Sequence, residues 1–120
     1  MILAVGIGAF GAHGLAPFMD ETGKSIFQTA SKYHFFHGLA MWIVLLLGLH
    51  FKTAKFTLAF WHFLAGITLF SGSLYLLALK AHLTTGIVQL LGPVTPLGGA
   101  LLLAGWIILT LRLFRHLKDH

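Results

Sequence analysis

Two histidines three residues apart, His34 and His37, stand in the stretch SKYHFFHGLA (31–40), which leads into a long apolar run. At that spacing the pair shares one helix face, and two imidazoles so placed are able to share a metal ion. A second chemistry would pair Ser71 or Ser73, as nucleophile, with His37 as base. No acid is at hand to orient that histidine, and serines in a glycine-rich helix ordinarily bond a carbonyl one turn back. A third chemistry is haem ligation, for which His13 and His37 are the one candidate pair. The structural role is favoured over all three, with the histidines bonding a neighbouring helix or water. Neither metal nor cofactor is expected. The chain has no cysteine, which removes disulfides, thiolate metal sites, iron–sulfur clusters and thiol nucleophiles together.

The elements that must hold these residues are set by composition. Of the 120 residues 58% are hydrophobic and only 9% charged, and the mean hydropathy is +0.89. A soluble domain is nearer 45–50% apolar and about one quarter charged, so this chain has too little polar surface to cover a globule in water. The apolar residues fall in blocks close to the ~20 residues that a bilayer core of ~30 Å demands of a helix. An integral membrane protein follows, with residues 1–120 as a single membrane domain in contact with the lipid bilayer. The formal charge of +5 does not indicate nucleic acid: the basic residues sit at segment ends, where they reach headgroups, rather than in one stripe.

Four helices are predicted, at about 1–15, 25–50, 53–80 and 95–114, forming an all-α, transmembrane antiparallel four-helix bundle. The first is closed by Pro17 and spans ~22 Å, short of the core. It either ends inside the membrane beside other helices or is preceded by further residues. Met1 leads straight into ILAVGIGAFGAHGL with no basic stretch before it, so no cleavable signal peptide is read. The second helix begins at Ser25, whose spacing to Gln28 is that of a capping box. The short link HFKTAK makes helices two and three antiparallel neighbours. The fourth begins with Thr95 as cap and Pro96 in the first helical position, which leaves residues 81–92 to lie along the interface. Four spans put both termini and the link on one side. That side carries Lys52, Lys55, Arg112, Arg115 and Lys118 against Lys24, Lys32 and Lys80 on the other, and the basic excess marks it as cytoplasmic.

Lipid gives helices no hydrophobic reason to associate, so close approach and hydrogen bonds must do it. Small residues suited to such seams are Ala4, Gly8, Gly11, Ala12 and Gly14 on the first helix, Ala59, Gly66, Gly72 and Ser73 on the third, and Gly98, Gly99 and Gly105 on the fourth. The ends of helices one and three and the starts of two and four share a side. They carry His13; Tyr33, His34 and His37; Ser71, Ser73 and Tyr75; and Thr95. An unpaired polar group in hydrocarbon costs several kcal/mol, so these side chains are expected to turn inward and form one polar cluster in the outer leaflet. His62, beside Trp61, is read as an interfacial anchor, and His50, His82, His116 and His120 as solvated.

The stretches GAFGAHGL (8–15), TASKYHFFHGLA (29–40), GITLFSGSLYLLAL (66–79), TPLGG (95–99) and GW (105–106) resemble, in order and spacing, a small membrane-protein family. It is the family catalogued as domain of unknown function 423, whose eukaryotic relatives include transmembrane protein 256. The resemblance implies a four-helix bacterial inner-membrane protein with no established activity. It maps the family's motif residues onto His13, Tyr33, His37, Ser71, Gly72, Ser73, Tyr75, Thr95, Pro96, Gly98, Gly99 and Trp106. At the position of His34 the family carries glutamine as often as histidine, which speaks against a metal shared with His37. Two functions are then weighed. The first is a non-enzymatic packing partner or accessory subunit of a membrane complex, with a membrane-protein partner or a second copy of itself. The alternative is a small-molecule, lipid or ion binding or transport module that uses the His/Ser/Tyr cluster.

Overall fold

A computed structural model describes residues 1–53 and 55–119; Ala54 in the link and His120, expected to be solvated, lie outside the described residues. The chain is all-α. Helix α1 (Ile2–Phe10) runs into a π-helical turn (Gly11–Leu15) and a 3₁₀ turn (Ala16–Phe18) that contains Pro17. Helices α2 (Glu21–His50), α3 (Thr57–Leu77) and α4 (Thr85–Lys118) follow, with a 3₁₀ turn (Lys80–His82) between the last two. Among the described residues α2, α3 and α4 are long and apolar enough to cross a membrane, and the shorter apolar stretch Ile2–Phe18 accompanies them.

Several boundaries differ from the sequence reading, each for a local reason. Helix α2 starts four residues before Ser25. Asp20, in extended conformation, accepts a hydrogen bond from the Gly23 amide at 2.6 Å. It therefore occupies the cap position, and Glu21 in the first turn complements the helix dipole. Helix α4 starts ten residues before Thr95, so residues 85–92 belong to it rather than to an interfacial segment, and Pro93 and Pro96 lie inside it. Each proline removes one backbone donor. The exposed flank on which both prolines sit accommodates their rings, and such prolines are tolerated in membrane helices. Helix α3 begins only at Thr57 because α2 closes in a Schellman turn, with Thr53 N–H on Gly48 O at 3.0 Å and Lys52 N–H on Leu49 O at 3.3 Å. Lys52 holds the left-handed position of that turn at φ 47°, the one positive-φ non-glycine among the described residues. Glycine is the usual occupant, and a side chain there costs about 1–2 kcal/mol.

Helix α3 is central: it packs on α2 along one side and on α4 along the other, while α1 packs on α2. The body is flat and elongated, 54 × 27 × 17 Å. Its core joins Ala40 and Val44 of α2, Ala59, Phe63 and Ile67 of α3, and Leu102 and Leu109 of α4, with Phe56 just before α3. The α3–α4 seam depends on close approach. A Cβ at Gly98 would strike the Phe70 backbone nitrogen, one at Gly66 would come within 2.5 Å of the Leu102 side chain, and one at Gly105 within 2.7 Å of the Phe63 ring. Of the other expected seam glycines, Gly8 faces the Ser31 hydroxyl and Gly11 the Phe27 ring. Gly14 lies against Phe10 of its own segment, Gly99 makes ordinary contact with the Phe70 ring, and Gly72 faces open space and marks no seam.

Candidate functional site

Depth comes first, because it decides what each polar group must find. At 1.5 Å per residue α2 is ~45 Å long. His37 is thirteen residues from Lys24 and fifteen from Lys52. It therefore lies near the middle of α2 rather than at its entrance. Helix α1 runs antiparallel beside the N-terminal half of α2: Met1 reaches Gly38, Gly8 meets Ser31 and Gly11 meets Phe27. His13 follows on the π-helical turn, exposed, its Nδ1 on Ala9 O at 3.2 Å. Phe27 is ten residues, or ~15 Å of helix, from His37, so His13 and His37 do not share the depth that a common ligand would require.

The remaining residues form three separate links rather than one cluster. Between α2 and α3, His34 Nδ1 lies 3.2 Å from the Tyr75 hydroxyl, with the tyrosine ring tilted against Phe27 at 4.9 Å. Between α3 and α4, Ser73 Oγ and Thr95 Oγ1 are 2.7 Å apart. Ser73 Oγ also donates to Phe70 O at 2.9 Å, and Thr95 Oγ1 reaches Leu91 O at 3.3 Å. Two hydroxyl protons serve three contacts here, so one is shared. Thr95 is thus a mid-helix residue bridging to α3, not the helix cap. Ser71 is 1% exposed and its hydroxyl has no partner among the described residues.

The third link joins α2 to α4. Trp106 Nε1–H donates to His37 Nε2 at 3.1 Å, and His37 Nδ1 lies 2.8 Å from Tyr33 O. A carbonyl only accepts and an indole N–H only donates, so the ring is the neutral tautomer with its proton on Nδ1. Both nitrogens are engaged, leaving no lone pair for a metal and no base for Ser71 or Ser73. The ring is clamped by neighbours: Tyr33 stacks on it at 5.8 Å and 10°, and Phe63 and Trp106 lie at 5.7 and 6.1 Å. Beside this link a lateral groove of about 560 Å³ is lined by Tyr33, His37, Phe70, Pro96, Gly99 and Trp106. His34 and His37 point to different partners, which dissolves the metal pair. Among the described residues no three His, Asp or Glu side chains converge as ligands.

Sequence reasoning put Trp106 among the motif residues but outside the cluster, because a tryptophan does not register as polar. Its single N–H in mid-span, where a donor must be satisfied, is the signal that would have found it. His116 was read as solvated. It is 8% exposed, with its ring against Phe51 at 4.3 Å and Phe56 at 6.3 Å. This contact ties the end of α4 to the α2–α3 link. His82 is exposed and bonds Phe18 O at 3.0 Å, and His62 bonds Leu58 O one turn back at 2.9 Å.

Apolar spans joined by isolated hydrogen bonds define a helical membrane protein. The chain belongs to the family described as Protein of unknown function (DUF423), which it matches over residues 7–99. That match takes in every residue of the three links except Trp106. A UPF0382 membrane protein of Staphylococcus epidermidis is 41% identical over 112 residues, covering 92% of this chain and 84% of that one. UPF0382 membrane protein SAB0533 of Staphylococcus aureus is 40% identical over 116 residues, 95% of this chain and 88% of the relative. UPF0382 membrane protein YwdK of Bacillus subtilis is 37% identical over 117 residues, 97% and 90% respectively. No solved structure shows a significant match.

Proposed function

We propose that this chain is a non-enzymatic packing partner, an accessory subunit of a larger complex in a bacterial inner membrane. One observation carries the reading: His34, Ser73 and His37 each bond a side chain on another helix of the same chain. Polar groups used in this way join helices in lipid. They are not poised for turnover, since a general base needs a nitrogen within reach of its nucleophile. The face offered to a partner is the groove between α2 and α4, where Tyr33, Phe70 and Trp106 stand as walls and Gly99 and Ala100 leave a low side. The occupant is a transmembrane helix of the partner. The side bearing Lys52, Lys55, Arg112, Arg115 and Lys118 faces the cytoplasm.

Photo-crosslinking in membranes tests this. A probe replacing Leu103, which is 67% exposed on the groove's edge, is expected to capture one discrete partner. A probe replacing Leu46, on α2 away from the groove lining, captures none. A strictly monomeric particle in mild detergent, with no product from either position, ends the reading. The alternative of a small-molecule, lipid or ion binding module draws support from the groove's size of about 560 Å³, within the ~300–1,000 Å³ of ligand pockets. A ligand-dependent thermal shift abolished by His37→Ala would favour it.

A further inference from the structure

The Schellman turn at the end of α2 stands over a second cavity, of about 510 Å³, between the last turns of α2 and the first of α3. Its walls are apolar: Val44, Leu45, Leu49 and Phe60. Its mouth is polar, with Lys52, Thr53 and Thr57 beside the exposed ring of Trp61. The Thr53 hydroxyl oxygen accepts the Lys55 amide at 3.2 Å, which holds the link against the mouth and leaves the hydroxyl proton available. Lys52 makes no ion pair among the described residues; the pair found there is Lys24–Glu21 at the far end of the molecule. A positive residue therefore sits, at the expense of backbone strain, where glycine would close the turn more easily. It heads an apolar slot that opens sideways at the end of the spans.

We infer that this slot seats one anionic phospholipid, its phosphate against the Lys52 ammonium and the threonine hydroxyls and an acyl chain along Val44, Leu45 and Phe60. The chemistry is complementary throughout. A phosphodiester supplies the negative charge that the mouth lacks, and a strongly hydrated ammonium suits it as a point charge. The chain fills a groove that water would not wet. Trp61 lines the slot as well, and indole rings concentrate at the headgroup boundary. A lipid held by such a built slot differs from lipid attracted by the general basic excess of this side, because it depends on one lysine rather than on the total charge.

Native mass spectrometry of the full chain, released from mixed detergent micelles carrying equal phosphatidylglycerol and phosphatidylcholine, measures this. The wild type is expected to retain phosphatidylglycerol at least about fivefold over phosphatidylcholine, the factor that one lysine contributes at an anionic surface. Lys52→Gly is expected to lose that preference while melting at or above the wild-type temperature, since glycine relaxes the turn. Lys55→Ala, outside the slot, keeps the preference. Leu45→Trp, which fills the slot, loses both lipids. Glycerol 3-phosphate at millimolar concentration does not displace the lipid. Equal retention of the two lipids, an unchanged preference in Lys52→Gly, an equal loss in Lys55→Ala, retention of both lipids in Leu45→Trp, or displacement by the soluble phosphate would each overturn the assignment.

Discussion

Helix α3 meets α4 through glycines at backbone distance, whereas α2 meets α4 through one hydrogen bond across an open groove. The first contact is mainly steric, with the Ser73–Thr95 hydrogen bond beside the glycine seam. Gly98 lies so near Phe70 that no side chain fits between them, and van der Waals packing along such a seam is what holds helices together in lipid. The second is chemical and carries little packing. His37 and Trp106 satisfy each other within the helices, beside the groove that both line. One protein thus uses both available ways of joining helices without a hydrophobic driving force, with packing dominant between α3 and α4 and a hydrogen bond dominant between α2 and α4. The difference predicts where substitutions hurt and by how much.

The largest effect is expected at the steric seam. Gly98→Val would push α4 off the Phe70 backbone, which has no flexible end to yield, and should destabilise the fold by on the order of 3 kcal/mol in thermal unfolding. Gly72→Ala on α3 faces open space and should be neutral or stabilising by about 0.5–1 kcal/mol. If the two variants melted alike, the distinction between seam and open face would be lost. At the chemical link, Trp106→Phe keeps the aromatic packing with Phe63 but leaves His37 Nε2 without a donor, an expected loss of about 1–3 kcal/mol. Nitrogen-15 NMR sharpens this prediction. In the wild type the His37 ring should read as neutral with the proton on Nδ1, and in Trp106→Phe the Nε2 resonance alone should move. A ring protonated on Nε2 in the wild type would refute the link.

The smallest effects compare two serines two residues apart. Ser73 bridges to Thr95, while the buried Ser71 hydroxyl has no partner among the described residues. Ser73→Ala should destabilise by roughly 0.6–1.7 kcal/mol, the range for hydrogen bonds between membrane helices. Ser71→Ala should be neutral or raise the melting temperature, because it removes an unsatisfied group. Opposite signs at neighbouring positions would be hard to produce by any general effect on α3.

The sequence made the polar residues visible but misjudged their company. Depth counted from predicted helix starts grouped His37 with Ser73 and Tyr75. Those starts were also off by several residues: α2 begins at the Asp20 cap, which leaves His37 sixteen residues from its first residue and thirteen from its last. The Thr95–Pro96 pair reads as a helix start by every local rule, yet α4 passes through it. Local rules weigh the lost N–H but not the neighbouring helix that makes continuation worthwhile. Gly98 and Gly72 were indistinguishable as letters, since a glycine on a seam and one facing open space differ only by what lies opposite. Lys52 drew attention as a charge for orientation, not as a residue in left-handed backbone at the head of a slot.

By itself the sequence determined that this is a helical membrane protein, which stretches are apolar enough to cross, and which residues are polar within them. Those properties are local: in lipid each helix satisfies its own backbone hydrogen bonds, so a span is legible without its neighbours. Only the tertiary structure decided which polar group meets which, the tautomer of His37 and the two grooves on either side of α2. Each of these depends on the rotation and approach of helices about their axes, and a one-residue turn of 100° is enough to exchange every partner.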